Sequence, residues 1–249
     1  VSSVILTSYF SRKEHPNELG DLHVVGRDSD GRVLQNDFKY IQPWYESISL
    51  LGLDARVFYD NLSDDFINKY TTDKIKFIKV KNSDYSNLDW RWFCYRNFLE
   101  ENKFDSVFLT DGSDVTVVKD PSCILKEFPD FDFFICKDSI LLGEFPYLQI
   151  HERFGWSDYV WFAIMADRLD LINMGVIGCS YENAMLFLNT FCQERIKMGY
   201  PEFGQADMWL GQYVFRSLLR DKSILIGEPF TSVFKGYEID RKDVYFIHK

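Results

Sequence analysis

No stretch of this chain approaches the roughly 18 to 20 consecutive apolar residues that a bilayer-spanning helix needs, and no signal-peptide pattern opens it. The expectation is a protein on the cytoplasmic side, attached to a membrane periphery only through parts of a longer chain. The five cysteines, Cys94, Cys123, Cys136, Cys179 and Cys192, are odd in number, scattered and without Cys-x-x-Cys spacing. That argues against a disulfide framework or a zinc site and suits free core thiols in a reducing compartment. Basic charge is short as well. With Lys+Arg 28 against Asp+Glu 38 the formal net charge is -10, which argues against nucleic acid as a partner. No internal repeat, low-complexity tract or Pro/Ser-rich linker marks a domain boundary.

What is present is core-forming material. A hydrophobic fraction of 46% and an aromatic fraction of 17% in 249 residues suffice for one large α/β core, so a single domain over residues 1–249 is expected. Because residue 1 is Val rather than Met, the expectation includes excision from a longer chain. Val4 to Phe10 reads as the first strand, Gln42 to Leu51 as a helix and Ala55 to Tyr59 as the second strand. Ile75 to Val80 alternates as a strand. Asp89 is placed to cap a helix over Trp90–Glu101, and Phe131–Cys136 resembles a further strand. Tyr181 through Met198 reads as an amphipathic helix, and Gly204 to Trp209 opens another. Strands alternating with helices predict a Rossmann-type, mostly parallel central sheet flanked by helices.

One segment stands out. In Asp105-Ser-Val-Phe-Leu-Thr-Asp111-Gly112-Ser113-Asp114 an apolar run stops at two carboxylates three residues apart. A buried strand ending there would deliver both to the carboxyl edge of the sheet, where open α/β sheets bind ligands. Oxygen ligands of this kind suit Mg²⁺ or Mn²⁺ together with substrate phosphate. Asp-Gly-Ser-Asp is equally the composition of an ordinary turn. The chain closes on Asp243-Val-Tyr-Phe-Ile-His248-Lys249, a short strand ending in an imidazole and an ammonium. His248 can complete a metal site with Asp111 and Asp114, and Lys249 can offset diphosphate charge.

These residues resemble the GT-A-fold glycosyltransferases that use nucleotide sugars, whose acidic metal motif follows a core strand. The Asp-x-x-Asp spacing with a distal His resembles the glycosyltransferase domain of procollagen lysyl hydroxylases. Ile172-Asn173-Met174-Gly175-Val176-Ile177-Gly178 is similar to the Asn-Ala-Gly-Val element of glycogenin-like transferases, with Met174 in place of the small residue. The resemblance implies a GT-A-like fold, a Mn²⁺ or Mg²⁺ cofactor, a UDP-sugar as donor, and a glycan or glycoconjugate hydroxyl as acceptor. Metal ligands would be Asp111, Asp114 and His248. The donor would also meet Thr7, Ser8 and Tyr9 at the end of the first strand, Gly112, Lys249, and a basic residue before the motif. Arg96 is assigned there, with Arg91 its competitor five residues away and not bound to share its face.

Asn173, Asp138, Gln205 and Asp207 are the candidates beside the donor sugar, Asp207 being equally suited to a helix start. The resemblance implies transfer with retention of configuration. Inversion, with Asp207 or Asp138 as general base, and a noncatalytic nucleotide-sugar-binding relative are the alternatives. Two other chemistries fit worse. Leu109-Thr-Asp111-Gly resembles the opening of a haloacid-dehalogenase-like phosphatase, which needs a second acid where Ser113 stands. A nucleotidyltransferase needs an early Gly-rich, Arg-containing loop, and none lies between Val4 and Gly20.

Overall fold

The structure, a computed structural model, describes residues 2–12, 34–145, 168–199 and 206–249. Its centre is a seven-stranded sheet built from β1 (Ser3–Tyr9), β2 (Ala55–Tyr59), β3 (Ile75–Lys79), β4 (Ser106–Thr110), β6 (Phe133–Leu141), β7 (Asp170–Ser180) and β8 (Ile224–Ile226), in the order β3-β2-β1-β4-β7-β6-β8. β3, β2, β1 and β4 are parallel neighbours, β6 and β8 are parallel, and β7 alone runs against the others. The expected α/β architecture with a mostly parallel sheet is what forms.

Strands buried on both faces carry near-continuous apolar runs, and β1 and β4 show why. Val4 and Leu6, with Val107 and Leu109, pack into one core layer with α3 (Asn87–Glu101), α5 (Tyr181–Lys197) and α6 (Asp207–Tyr213). Ile5 and Phe108 point the opposite way, into a second layer with Trp44 and Ile48 of α1 (Gln42–Leu51). Two shorter α-helices among the described residues are α2 (Asp64–Tyr70) and α4 (Ile124–Glu127). All five cysteines are free, and Cys123 alone is exposed. Among the described residues no helix is long and apolar enough to cross a membrane.

One local expectation is corrected. Ser86, whose hydroxyl accepts from Asp89 N, is the N-cap of α3, so the helix begins at Asn87. Asp89 is instead fully buried and turned to another element, accepting from Arg195 Nε at 2.9 Å and from Ala206 N at 3.1 Å. Burial pushes its carboxyl up to about 6, against the pull of Arg195. The pair ties α3 and α5 to the start of α6. The last strand, β9 (Phe246–His248), does not join the main sheet but pairs antiparallel with β5 (Val115–Val117) in a two-stranded sheet.

Candidate active site

The acidic motif is brought to its place by three separate pairings. β4 ends at Thr110, and Asp111 N donates to Gly175 O at 2.7 Å, extending the ladder to β7 one residue past the strand. The chain then turns through Gly112, which lies against β1: a Cβ there would sit 2.9 Å from Thr7 Oγ1 and 3.4 Å from Ser8 O. Finally β5 and β9 align Val115 with His248, and Lys249 N donates to Asp114 O at 3.0 Å. That register sets the imidazole beside Asp114.

One ligand atom each from Asp111, Asp114 and His248 lie within 4.8 Å of one another. His248 Nε2 is 3.5 Å from Asp114 Oδ2 and 3.8 Å from Asp111 Oδ2. The His248 side chain is 1% exposed against 27% and 30% for the two carboxylates, so the cluster opens to solvent on its acidic side. Burial by itself would lower the His248 pKa, but Cys136 and the Asp114 carboxylate outweigh it and hold it well above the ordinary value. A divalent cation at this point would take the place of that proton.

Two observations test whether a metal suits these residues. Buried His248 Nε2 has no hydrogen-bond partner. Gly175 faces the cluster so closely that a Cβ on it would meet His248 Cε1, and would lie 2.7 Å from Asp111 Oδ2 and 2.8 Å from His248 Nε2. An orphaned buried nitrogen, two carboxylates and a bare backbone clearing the space between them fit a hard divalent cation of the Mg²⁺ or Mn²⁺ type.

Behind the cluster lies a buried ion network. Arg91 of α3, 4% exposed, pairs through Nη1 with Asp111 Oδ1 and through Nη2 with Asp207 Oδ2 at 3.3 Å, and its Nη2 lies 3.5 Å from Met174 O. Burial works against the guanidinium, yet Asp111 and Asp207 together hold its pKa above the ordinary value. Arg91 therefore braces one oxygen of Asp111 while the other faces His248. The sequence marks this only by setting Arg91 between Trp90 and Trp92, an aromatic environment that points to burial.

No known protein-family profile matches the chain, and no curated protein matches it. Solved structures do. The galactosyltransferase LgtC in complex with donor and acceptor sugar analogs superposes with a TM-score of 0.56 at 13% sequence identity, covering 98% of this chain and 86% of that one. An active-site mutant of LgtC gives a TM-score of 0.55 at 13% identity with the same coverage. The fold is GT-A-like. These two structures are both LgtC, and neither bears on the narrower likeness to the procollagen lysyl hydroxylases.

Within the GT-A frame other expected residues come together in two places. Thr7, Ser8 and Gly112 come together, and Thr7 Oγ1 is buried without a hydrogen-bond partner. Asn173 and Asp138 also meet. Asn173 Nδ2 donates to Asp138 Oδ2 at 3.0 Å while Gly175 N donates to Asn173 Oδ1 at 2.8 Å, so Asn173 holds the glycine that faces Asp111 and His248. Met174 packs its thioether across Gly211 of α6, where a Cβ would lie 2.7 Å from Met174 Cε. The larger residue is accommodated by a glycine on the opposing helix.

Tyr9 and Arg96 are not brought to the cluster. The Tyr9 ring is fully buried against Tyr40 and Phe66, and its hydroxyl is 2.9 Å from Asp37 O, so no ring face is offered to a base. A strand-end aromatic flanked by other rings gains more from burial than from exposure. Arg96 lies 3.6 Å from Glu100, donates to Asn97 Oδ1 and packs over Phe93, outside the cluster. Its helical spacing from Arg91 turns the two to different faces. The exposed Lys249 adjoins Asp114 through its backbone, and Gln205 lies outside the described residues.

Proposed function

We propose that this chain is a single-domain, metal-dependent glycosyltransferase that moves a hexose or similar sugar from a nucleoside-diphosphate donor, UDP in particular, to a hydroxyl of a glycan or glycoconjugate. The observation that carries this reading is the convergence of Asp111, Asp114 and His248 at the carboxyl edge of a GT-A-like sheet. These three residues would hold Mn²⁺ or Mg²⁺, which when bound offsets the negative charge that grows on a diphosphate leaving group. The galactosyltransferase LgtC, bound to donor and acceptor sugar analogs in its own structure, supports sugar transfer as the use of this frame.

The chain's own residues have distinct tasks. Thr7, Ser8 and Gly112, which lie together, would support the nucleoside end, and Lys249, tied to Asp114 O through its backbone N–H, would offer its ammonium to phosphate oxygens. Arg91 keeps Asp111 oriented and fills the space between it and Asp207. Retention is favoured over inversion because both candidate bases are already engaged. Asp207 pairs with Arg91 and accepts from Met208 N at 2.8 Å. Asp138 accepts from Asn173 Nδ2 and from Ser139 N at 2.7 Å. A general base must reach the acceptor proton, and both carboxylates are buried and bonded within the protein.

The test is a panel of nucleotide sugars with Mn²⁺, scored for release of nucleoside diphosphate with water as default acceptor. Release from one donor class, lost on chelation, supports the proposal. Release of inorganic phosphate or pyrophosphate refutes it, and donor binding without turnover identifies a noncatalytic relative.

A further inference from the structure

The His248 ring is held on four sides. Gly175 lies against Cε1, the Phe234 ring packs beside the imidazole at 4.3 Å between centroids, Nε2 faces the two carboxylates, and Nδ1 meets Cys136 Sγ at 3.3 Å. Cys136 is fully buried on β6, with its sulfur 3.5 Å from Lys137 O and 3.8 Å from Ser232 O. Ser232 also receives the His248 backbone N–H on its hydroxyl at 3.0 Å. A neutral imidazole ligates a metal through one nitrogen only when the other carries the proton, and the partner of that second nitrogen decides which is which. That partner is ordinarily a carboxylate, a backbone carbonyl or water. Among the described residues the atom at Nδ1 is a thiol sulfur.

We propose that Cys136 is the positioning residue for His248: its sulfur accepts the Nδ1–H hydrogen bond while its own S–H is directed to the Lys137 or Ser232 carbonyl, which leaves the Nε2 lone pair facing Asp111 and Asp114. The arrangement is chemically complete, because a thiol is both a weak donor and a weak acceptor. It also turns Nε2, a buried nitrogen without a hydrogen-bond partner, towards the place a cation would occupy. The inference rests on the metal site of the proposed function.

The test measures Mn²⁺ affinity by calorimetry on the full chain and on Cys136→Ser, Cys136→Val and Cys136→Ala, each also followed by thermal melting. The hydrogen-bond partners of metal-bound histidines typically govern about 10-fold to 100-fold in affinity, so Cys136→Val and Cys136→Ala should weaken Mn²⁺ binding by about tenfold or more. Cys136→Ser, which keeps an acceptor, should stay within about threefold of the parent. In a His248→Ala background the Cys136→Val change should alter affinity by less than about twofold, since the thiol would have nothing left to orient. A general packing defect would persist there and would overturn the inference. So would parent-like Mn²⁺ affinity in Cys136→Val, or equal loss in the serine and valine variants. If the parent chain itself binds no Mn²⁺, the metal-site reading falls and takes this inference with it. If either apolar variant fails to fold, the other and the serine variant still decide.

Discussion

Replacing Gly175 with alanine tests the site through a single methyl group. Its backbone is not in the left-handed region, so alanine meets no conformational penalty and the effect is steric. The new Cβ would lie 2.7 Å from Asp111 Oδ2 and 2.8 Å from His248 Nε2, both closer than the 3.0 Å that real Cβ atoms respect. Neither neighbour can yield cheaply. The His248 ring is backed by Phe234 and Cys136, and Asp111 is anchored by Arg91 and by its own N–H on Gly175 O. Overpacking of this kind costs about 1–3 kcal/mol, and at about 2–4 °C per kcal/mol for a chain of this size the melting temperature should fall by roughly 2–12 °C. The larger effect should be on the cation. Displacing the ligands by about 1 Å can cost on the order of 100-fold in a positioned site, so Mn²⁺ affinity should drop by about that factor while the protein still melts in one transition. Calorimetric titration with Mn²⁺ and a melting curve on one preparation read both. If Gly175→Ala binds Mn²⁺ like the parent, Asp111 and His248 do not converge on a cation and the metal assignment is wrong.

Asp111→Asn and Asp114→Asn should each abolish donor turnover, but only Asp111→Asn, which removes a charge from Arg91, should also lower the melting temperature; steady-state assays in Mn²⁺ and melting curves check both. Asp207→Asn should cut turnover by well over tenfold, roughly more than 1.4 kcal/mol at the transition state, and should destabilise the fold by about 1–3 kcal/mol because Arg91 loses one of its two carboxylates. Normal turnover by the folded variant would remove Asp207 from the site. Arg96→Ala should leave donor affinity unchanged and shift stability by about 0.5 kcal/mol or less, whereas Arg91→Met should lose Mn²⁺ affinity; the reverse pattern would restore Arg96 to the site. Deleting His248 and Lys249 should lower melting as well as donor binding, because His248 is buried and paired in β9, so His248→Ala measured with and without metal is the sharper comparison.

Local signals carried far in this chain. The apolar runs of β1, β2 and β4 and the helix over Gln42–Leu51 are written in consecutive residues, and they form within a residue or two of where periodicity puts them. The two carboxylates after β4 were visible because a strand that stops at Asp-Gly has to present its next side chains at the sheet edge. The glycines of β7 marked a backbone approached closely, and Gly175 is where Asp111 and His248 come in.

What sequence could not decide was which distant partner each polar side chain meets. The tryptophans beside Arg91 hint at burial but name no partner, and only the packing of α3 turns Arg91 towards Asp111 and leaves Arg96 to Glu100. Asp89 reads as a cap until the start of α6 arrives beside it. Tyr9 looks like a base platform until Tyr40 and Phe66 close over its ring. Cys136 reads as one more core thiol, and becomes a partner of His248, 112 residues further along, only because the end of the chain pairs with Val115. Strand formation depends on neighbours two to four residues away, and a single sequence records it. Register between distant segments depends on the summed burial of side chains from both, and no single residue carries that signal.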